Sequence, residues 1–238
     1  MNAFQGAIIA AGRGERLRAT GGASIPKPLV EIGGAPMLLR QARAMLAVGA
    51  AEVLAVINRE TAALAGKIEL PRELRIIVRD TESSMESLFT LGESLRPGHF
   101  LLATVDAILP AAEFARFTRE AQAACVGDEC DRCDGALAVV KWRGDAKPLF
   151  THVAPSGLIE GLGERPSPIV TAGVYWLPTA IFVLAENARA LKLSAMRTFL
   201  AMLLANRFRL RAIEVTSAID IDEAADLDAA RRQVEDRR

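Results

Sequence analysis

Only three of the 238 residues are cysteine, and all three fall between Cys125 and Cys133. Such a cluster does not make a disulfide framework. Histidine is as scarce, with His99 and His152 the only two. Cys125, Cys130 and Cys133 have a C-x4-C-x2-C spacing that could offer three thiolates to zinc. A closed structural site takes four ligands, and neither histidine is near in sequence, so a plain cysteine-bearing loop is expected. No apolar run approaches the roughly 20 residues of a membrane-spanning helix. Met1 to Gly6 lacks the basic start of a signal peptide, and the apolar run behind it is too short. A cytoplasmic protein with no membrane partner is the expectation. Net charge is absent too: 29 basic residues stand against 29 acidic ones. A dedicated nucleic-acid binder should carry a basic face, so nucleic acid is not an expected partner. Small anionic substrates need only a local patch.

Hydrophobic residues at 51% and charged ones at 24% are globular values. The length allows one large α/β domain or two small ones. Apolar runs at 7–11, 52–57, 74–79 and 100–105 read as strands. Between them, Met37 to Val48, Thr61 to Lys67, Ser84 to Leu95 and Ala111 to Ala124 read as helices. This alternation predicts a mostly parallel sheet with helices on both faces. The rhythm then changes. Segments 136–141, 149–153, 158–162 and 169–177 read as strands joined by short turns, an antiparallel addition on the substrate side. Helices are expected at Ala180 to Ala185 and Leu191 to Ala205, a strand at Phe208 to Val215 and a closing helix at Asp222 to Glu235. No repeat or linker interrupts the chain, so one domain over 1–238 is the economical reading.

The densest chemistry lies near the start. The first strand ends in Ala10-Ala11-Gly12-Arg13-Gly14-Glu15-Arg16. Gly12 and Gly14 can take backbone angles closed to other residues and leave their N–H groups uncovered. Such a turn can bring N–H groups against phosphate oxygens. Arg13 and Arg16 add fixed charge, and the guanidinium of Arg16 can fork two donors onto a phosphate. A second small, glycine-rich loop delivers Lys27 between Pro26 and Pro28, which stiffen the backbone around it. No G-K-[ST] follows, so this is not the Walker P-loop. No third glycine completes a dinucleotide fingerprint either. Asp106 closes a buried strand at the edge where α/β sheets bind ligands. A carboxylate there suits Mg²⁺, which prefers oxygen donors, although helix capping is the ordinary alternative. Near the C-terminus, alternation puts Asp220 and Asp222 on one side of an extended segment. Asp220 is read as a metal ligand and Asp222 as the cap of the last helix, with the reverse assignment left open.

Ala-Ala-Gly-Arg-Gly-Glu-Arg-Leu, followed by Pro26-Lys27-Pro28-Leu29 and Gly33-Gly34-Ala35-Pro36-Met37-Leu38, resembles the signature of the sugar-phosphate nucleotidyltransferases. That superfamily includes the phosphocholine and molybdenum-cofactor nucleotidylyltransferases. The resemblance is densest at residues 7–48. It extends more loosely to 84–106, to Thr171-Ala172-Gly173-Val174-Tyr175 and to Asp220-Ile221-Asp222-Glu223-Ala224-Ala225-Asp226-Leu227. It implies a Rossmann-like sheet of the GT-A type. It also implies nucleotidyl transfer from an NTP to a phosphorylated acceptor with Mg²⁺ as cofactor. Ala10, Ala11, Gly12 and Gly14 would then bind the nucleotide, with Ser84 and Ser87 beside its base or ribose. Thr171 and Gly173 would flank the acceptor, with Gly173 letting it approach the backbone. Arg16 and Lys27 would be the catalytic cations, and Asp106 with Asp220 the metal ligands. The family commonly has Gly-Asp where this chain has Val105-Asp106. The base, the acceptor and the oligomeric state stay open, and a catalytically weak nucleotide-binding module of the same fold is the rival reading.

Overall fold

The structure, a computed structural model, describes residues 3–66, 68–126, 133–144 and 148–235. The chain opens with β1 (Phe4–Ala10) and a short helix α1 (Glu15–Ala19). A two-residue hairpin follows, β2 (Glu31–Ile32) and β3 (Ala35–Pro36). Then come α2 (Met37–Ala47), β4 (Ala50–Ile57), α3 (Arg59–Ala65), β5 (Leu74–Val78), α4 (Ser84–Gly92) and β6 (His99–Thr104). The next elements are β7 (Ala107–Ile108), α5 (Ala111–Ala124), β8 (Gly135–Lys141), β9 (Phe150–Val153), β10 (Ile159–Gly163) and β11 (Ile169–Pro178). The chain finishes through α6 (Ala185–Ala190), α7 (Met196–Ala205), β12 (Leu210–Glu214), β13 (Ile219–Asp220) and α8 (Ala224–Glu235).

The expected α/β architecture is present. In the main sheet, β6, β1, β4 and β5 run parallel, and β11 joins antiparallel beside β6. Beyond β11 lie β9 and β10 along one path and β8 along another, with β8 and β9 antiparallel to β11 and β10 antiparallel to β9. The last strand, β12, returns parallel to β8. β1 is buried along its whole length, which explains why it reads as an unbroken apolar run rather than an alternating one. Two apolar layers clothe the sheet. One is built around Phe114, Phe117, Met37 and Met45, the other around Phe89, Phe100 and Phe199.

Chain order around β1 determines where a ligand can sit. From β1 the chain steps outward to β4 and β5, then crosses back to lay β6 on the opposite side of β1. The crevice at such a reversal, outside the carboxyl ends of the strands, is the usual binding place in open α/β sheets. Ile9 of β1 is in register with Thr104 of β6. The glycine turn after β1 and Asp106 after β6 are therefore side by side.

Some expectations shift. The helix expected from Leu191 begins only at Met196, because Lys192 takes a left-handed φ of 55° and breaks the chain direction. The segment expected as helix at Ala180 to Ala185 is a 3-10 turn, Thr179–Leu184, running into α6. Among the described residues no helix is long and apolar enough to cross a membrane.

One clamp holds the approach to β13. Glu113, in the first turn of α5, accepts from the Thr216 N–H at 2.7 Å and from Arg116 at 2.9 Å. Arg116 also donates to the Glu214 carbonyl at 2.6 Å. Arg116 first, then the Thr216 amide, hold the Glu113 carboxyl down at about 2. A depressed carboxyl stabilises the fold above its unfolded value, and that contribution fades as pH falls toward the folded one. Glu113→Gln should therefore lower stability by about 1 kcal/mol at pH 7. The gap to wild type should close between about pH 4.5 and pH 2 in denaturant melts.

Candidate active site

Gly14 takes φ 65°, which an L side chain rarely adopts. A Cβ there would also lie 2.9 Å from the Cβ of Lys27. The signature turn and the Pro-Lys-Pro segment thus need this glycine to come together. Gly12 differs from the expectation: its φ is not in the left-handed region, and the space beside it is open. Its value is an uncovered backbone facing the cleft. Asn58, which no motif flagged, locks the turn from below. Its Nδ2 donates to the Ala11 carbonyl at 3.0 Å, while its Oδ1 caps α3 by accepting from the Thr61 N–H at 2.8 Å. A capping-type residue directly after an apolar strand was the available signal.

Lys27 is 8% exposed and reaches across to Asp106, with Nζ to Oδ2 at 2.6 Å. It also donates to Asp222 Oδ1 at 3.2 Å. The second oxygen of Asp222 meets Arg16 at 2.7 Å. Asp222 is therefore not the expected helix cap, since its two carboxylate oxygens are taken by cations. Asp226 serves the helix start instead, accepting from the N–H groups of Asp222 and Glu223 at 3.1 and 2.8 Å. Asp220 lies in β13, which pairs with β7 so that Asp220 faces Ala107, next to Asp106. The Asp106, Asp220 and Asp222 carboxylates offer oxygens that all lie within 4.8 Å of one another.

Burial works against the Lys27 ammonium, but Asp106, then Asp222 and Asp220, outweigh it and raise its pKa above the ordinary value. Burial likewise pushes Asp106 upward. Lys27 overrides it, with the Thr104 hydroxyl assisting, and holds the carboxyl below its ordinary range. Asp220 moves the other way, to about 8, driven first by the Asp106 charge, then by desolvation and Asp222. Since Asp220 itself is exposed, the repulsion from Asp106 is the cause to rely on. Three carboxyl groups against two cations gather hard oxygen donors at one spot, and the raised Asp220 marks that spot as short of positive charge. That donor set fits a divalent cation of the Mg²⁺ class. Among the described residues it is the only group of three or more His, Cys, Asp or Glu able to hold a metal. Cys125 and Cys133 are buried with their sulfurs 3.4 Å apart, a contact distance rather than a disulfide. Cys130, needed for the zinc alternative, lies outside the described residues. His99 Nε2 is 3.0 Å from the Asp134 carbonyl, and His152 Nε2 is 3.1 Å from that of Arg165.

Two cavities meet at this cluster. The larger, about 1160 Å³, is lined by Ala10, Ala11, Gly12, Gly14, Arg16, Lys27, Ser84 and Ser87. The smaller, about 340 Å³, is lined by Thr171, Gly173, Tyr175 and Asp220. Arg16, Ser84, Thr104, Asp106 and Asp222 belong to both. The residues expected to bind nucleotide line the larger cavity and those expected to bind acceptor the smaller one, with Ser84 and Asp106 shared between them. Arg13 points into solvent, with its side chain 81% exposed. The serines are more occupied than expected. Ser83 caps α4 by accepting from the Glu86 N–H at 3.1 Å. Ser84 Oγ accepts from the Met196 N–H at 3.0 Å, and the buried Ser87 hydroxyl lies 2.6 Å from that of Thr81. Tyr175 stays a neutral phenol, pushed up to about 12 by burial.

Gly173 has a packing role besides. It has φ 73°, and an added Cβ would lie 2.5 Å from the Cβ of Ala107 and 2.9 Å from Thr104 Oγ1. The place its side chain would take is filled by the loop that carries Asp106, so glycine is needed here for packing, while the residue still lines the smaller cavity. Gly173→Ala should cost about 2 kcal/mol or more, through backbone strain plus overpacking. Loss of metal affinity should accompany the fall in Tm, since β7 is what the new methyl displaces.

The family model for the MobA-like NTP transferase domain matches residues 6–168. Among curated proteins none is similar enough in sequence to match. Solved structures of the same fold include the inositol-1-phosphate CTP transferase from T. maritima. It is 16% identical with TM-score 0.76, and the match covers 98% of this chain and 96% of that one. A UDP-glucose pyrophosphorylase is 16% identical with TM-score 0.79 and full coverage of both chains, 100% each. The CTP:phosphocholine cytidylyltransferase from Streptococcus pneumoniae is 14% identical with TM-score 0.74, covering 98% of this chain and 100% of that one. At such identities the likeness speaks for the fold, a Rossmann-like sheet of the GT-A type.

Proposed function

Because the chain belongs to the MobA-like NTP transferase domain family, we propose that it moves a nucleoside monophosphate group from an NTP to a phosphomonoester acceptor, releasing pyrophosphate. One nucleotidyltransferase domain over 1–238 would carry the reaction. The observation behind this reading is the pair of chambers that share Asp106, one walled by the glycine turn and one by β11. Two substrates entering from opposite sides would meet beside Lys27.

In this mechanism a phosphate oxygen of the acceptor attacks the α-phosphorus of the NTP, the bond to the β-phosphate oxygen breaks, and pyrophosphate leaves. The attacking oxygen is already anionic, so no strong base is required. The obstacle is repulsion between two polyanions, which makes positioning and charge neutralisation the main catalytic terms. Gly12 and Gly14 seat the triphosphate against uncovered N–H groups. Arg16 turns from Asp222 to the β- and γ-phosphates. Lys27, a buried point charge, bridges the α-phosphate and the incoming phosphate. Asp106, with Asp220 or Asp222, would hold Mg²⁺, which supplies charge neutralisation at the reacting phosphates.

The test is pyrophosphate release with each of the four NTPs against sugar 1-phosphates, phosphocholine-like alcohol phosphates and molybdopterin. NTP binding without pyrophosphate release under any pairing would overturn the reading in favour of a regulatory nucleotide-binding module.

A further inference from the structure

Gln41 is a polar residue on the buried stripe of α2, only 3% exposed. Its Nε2 donates to two backbone carbonyls, that of Thr104 at 3.1 Å and that of Ala107. These carbonyls bracket Val105 and Asp106, the turn after β6. Ala107 is also the residue opposite Asp220 in the β7–β13 pair, and the Asp106 carbonyl accepts from the Ile221 N–H at 3.2 Å. One amide group therefore touches both ends of the turn carrying Asp106 and the strand that registers Asp220 beside it. At its other end, α2 is tied to the Lys27 segment, because the Met37 N–H donates to the Val30 carbonyl at 3.0 Å. The helix is a strut with the lysine loop at its start and the aspartate turn one turn further on.

We propose that Gln41 is a positioning residue that sets the spacing of Asp106 and Asp220, and through it the affinity of the carboxylate cluster for its divalent cation. The inference rests on the metal-assisted reading above. The physical reason is that buried carbonyls do not go unpaired without cost. Deprived of Gln41, the Thr104 and Ala107 carbonyls turn toward water. The peptide units that turn carry Asp106 with them and loosen the register that places Asp220. Partners behind metal ligands commonly change affinity by about 10- to 100-fold when removed.

The experiment titrates Mn²⁺ into metal-free protein by electron paramagnetic resonance, which needs no turnover. Gln41→Met keeps the side-chain volume and removes both donors. Met45→Ala, on the same helix and buried away from the turn, is the stability control. Gln41→Met should bind Mn²⁺ about tenfold more weakly, whereas Met45→Ala should keep wild-type affinity at a comparable loss of Tm. Equal affinities in Gln41→Met and wild type overturn the proposal, as does an equal loss in both variants. Should Gln41→Met fail to fold, Gln41→Glu decides. An added anion acting by charge alone would tighten Mn²⁺ binding, while loss of the positioning bonds weakens it, so tighter or unchanged binding overturns the proposal. If wild type binds Mn²⁺ yet releases no pyrophosphate, the functional reading falls and the positioning role is still decided by the titration.

Discussion

Lys27→Ala should reduce pyrophosphate release by about 10²- to 10³-fold, the size of losing one preorganised charge at a reacting phosphate. The effect should appear mainly in kcat, because Gly12, Gly14 and Arg16, the groups proposed to seat the triphosphate, remain in place. Lys27→Arg should not rescue it. The lysine stem is packed against the bare Cα of Gly14 and is 8% exposed, leaving no room for a planar guanidinium. A second consequence separates a catalytic cation from a merely structural one. Without Lys27, Asp106 and Asp222 lose the cation between them, and their negative charge is left less compensated. Divalent cations should then bind the variant more tightly than wild type even as turnover collapses. Calorimetric titration with Mg²⁺ checks the first outcome and steady-state assay the second. Wild-type-like turnover would remove Lys27 from the mechanism.

Asp106→Asn should be as damaging, about 10³-fold in turnover, with the opposite effect on metal binding. It removes a carboxylate from the cluster proposed to hold the metal, and with it the main partner of Lys27, which held Nζ at 2.6 Å. Mg²⁺ affinity should fall, and raising Mg²⁺ should recover part of the activity in this variant but none in Lys27→Ala. Asp220 should respond as well. Its carboxyl is raised first by Asp106, so in the Asn variant it should titrate closer to an ordinary carboxyl. Carboxyl chemical shifts followed through a pH series would read this directly. An Asp220 that still titrates near 8 would show that its neighbour is not the cause.

Much of the site could be read from residue types alone. Glycines after a buried strand, a lysine braced by prolines and an aspartate closing another strand are local signals, and each sits where expected. Helices with full apolar stripes, such as Ala111–Ala124, were legible to their ends. Elements of two residues were not, because β7 and β13 are too short for any periodicity and exist through pairing with each other. Asp222 was misjudged because aspartate before a helix is the ordinary cap pattern, whereas its actual partners lie about 200 positions earlier in the chain. The packing role of Gly173 was not legible because a missing side chain in sequence does not reveal what fills the gap. Gln41 escaped notice because it interrupts an apolar stripe by a single residue, and only its carbonyl partners give it meaning.

The bond from Lys27 to Asp222 spans 195 residues, and that from Thr20 to Ala224 spans 204. Segments far apart in the sequence thus close on each other beside the carboxylate cluster. During synthesis, a chain grown only as far as Asp106 already carries its lysine and first carboxylate, yet the guanidinium of Arg16 has no acidic partner. The carboxylate cluster is complete only once the segment carrying Asp220 and Asp222 has been made. A chain cut short before position 220 would keep the strands of its main sheet while lacking two of the three carboxylates.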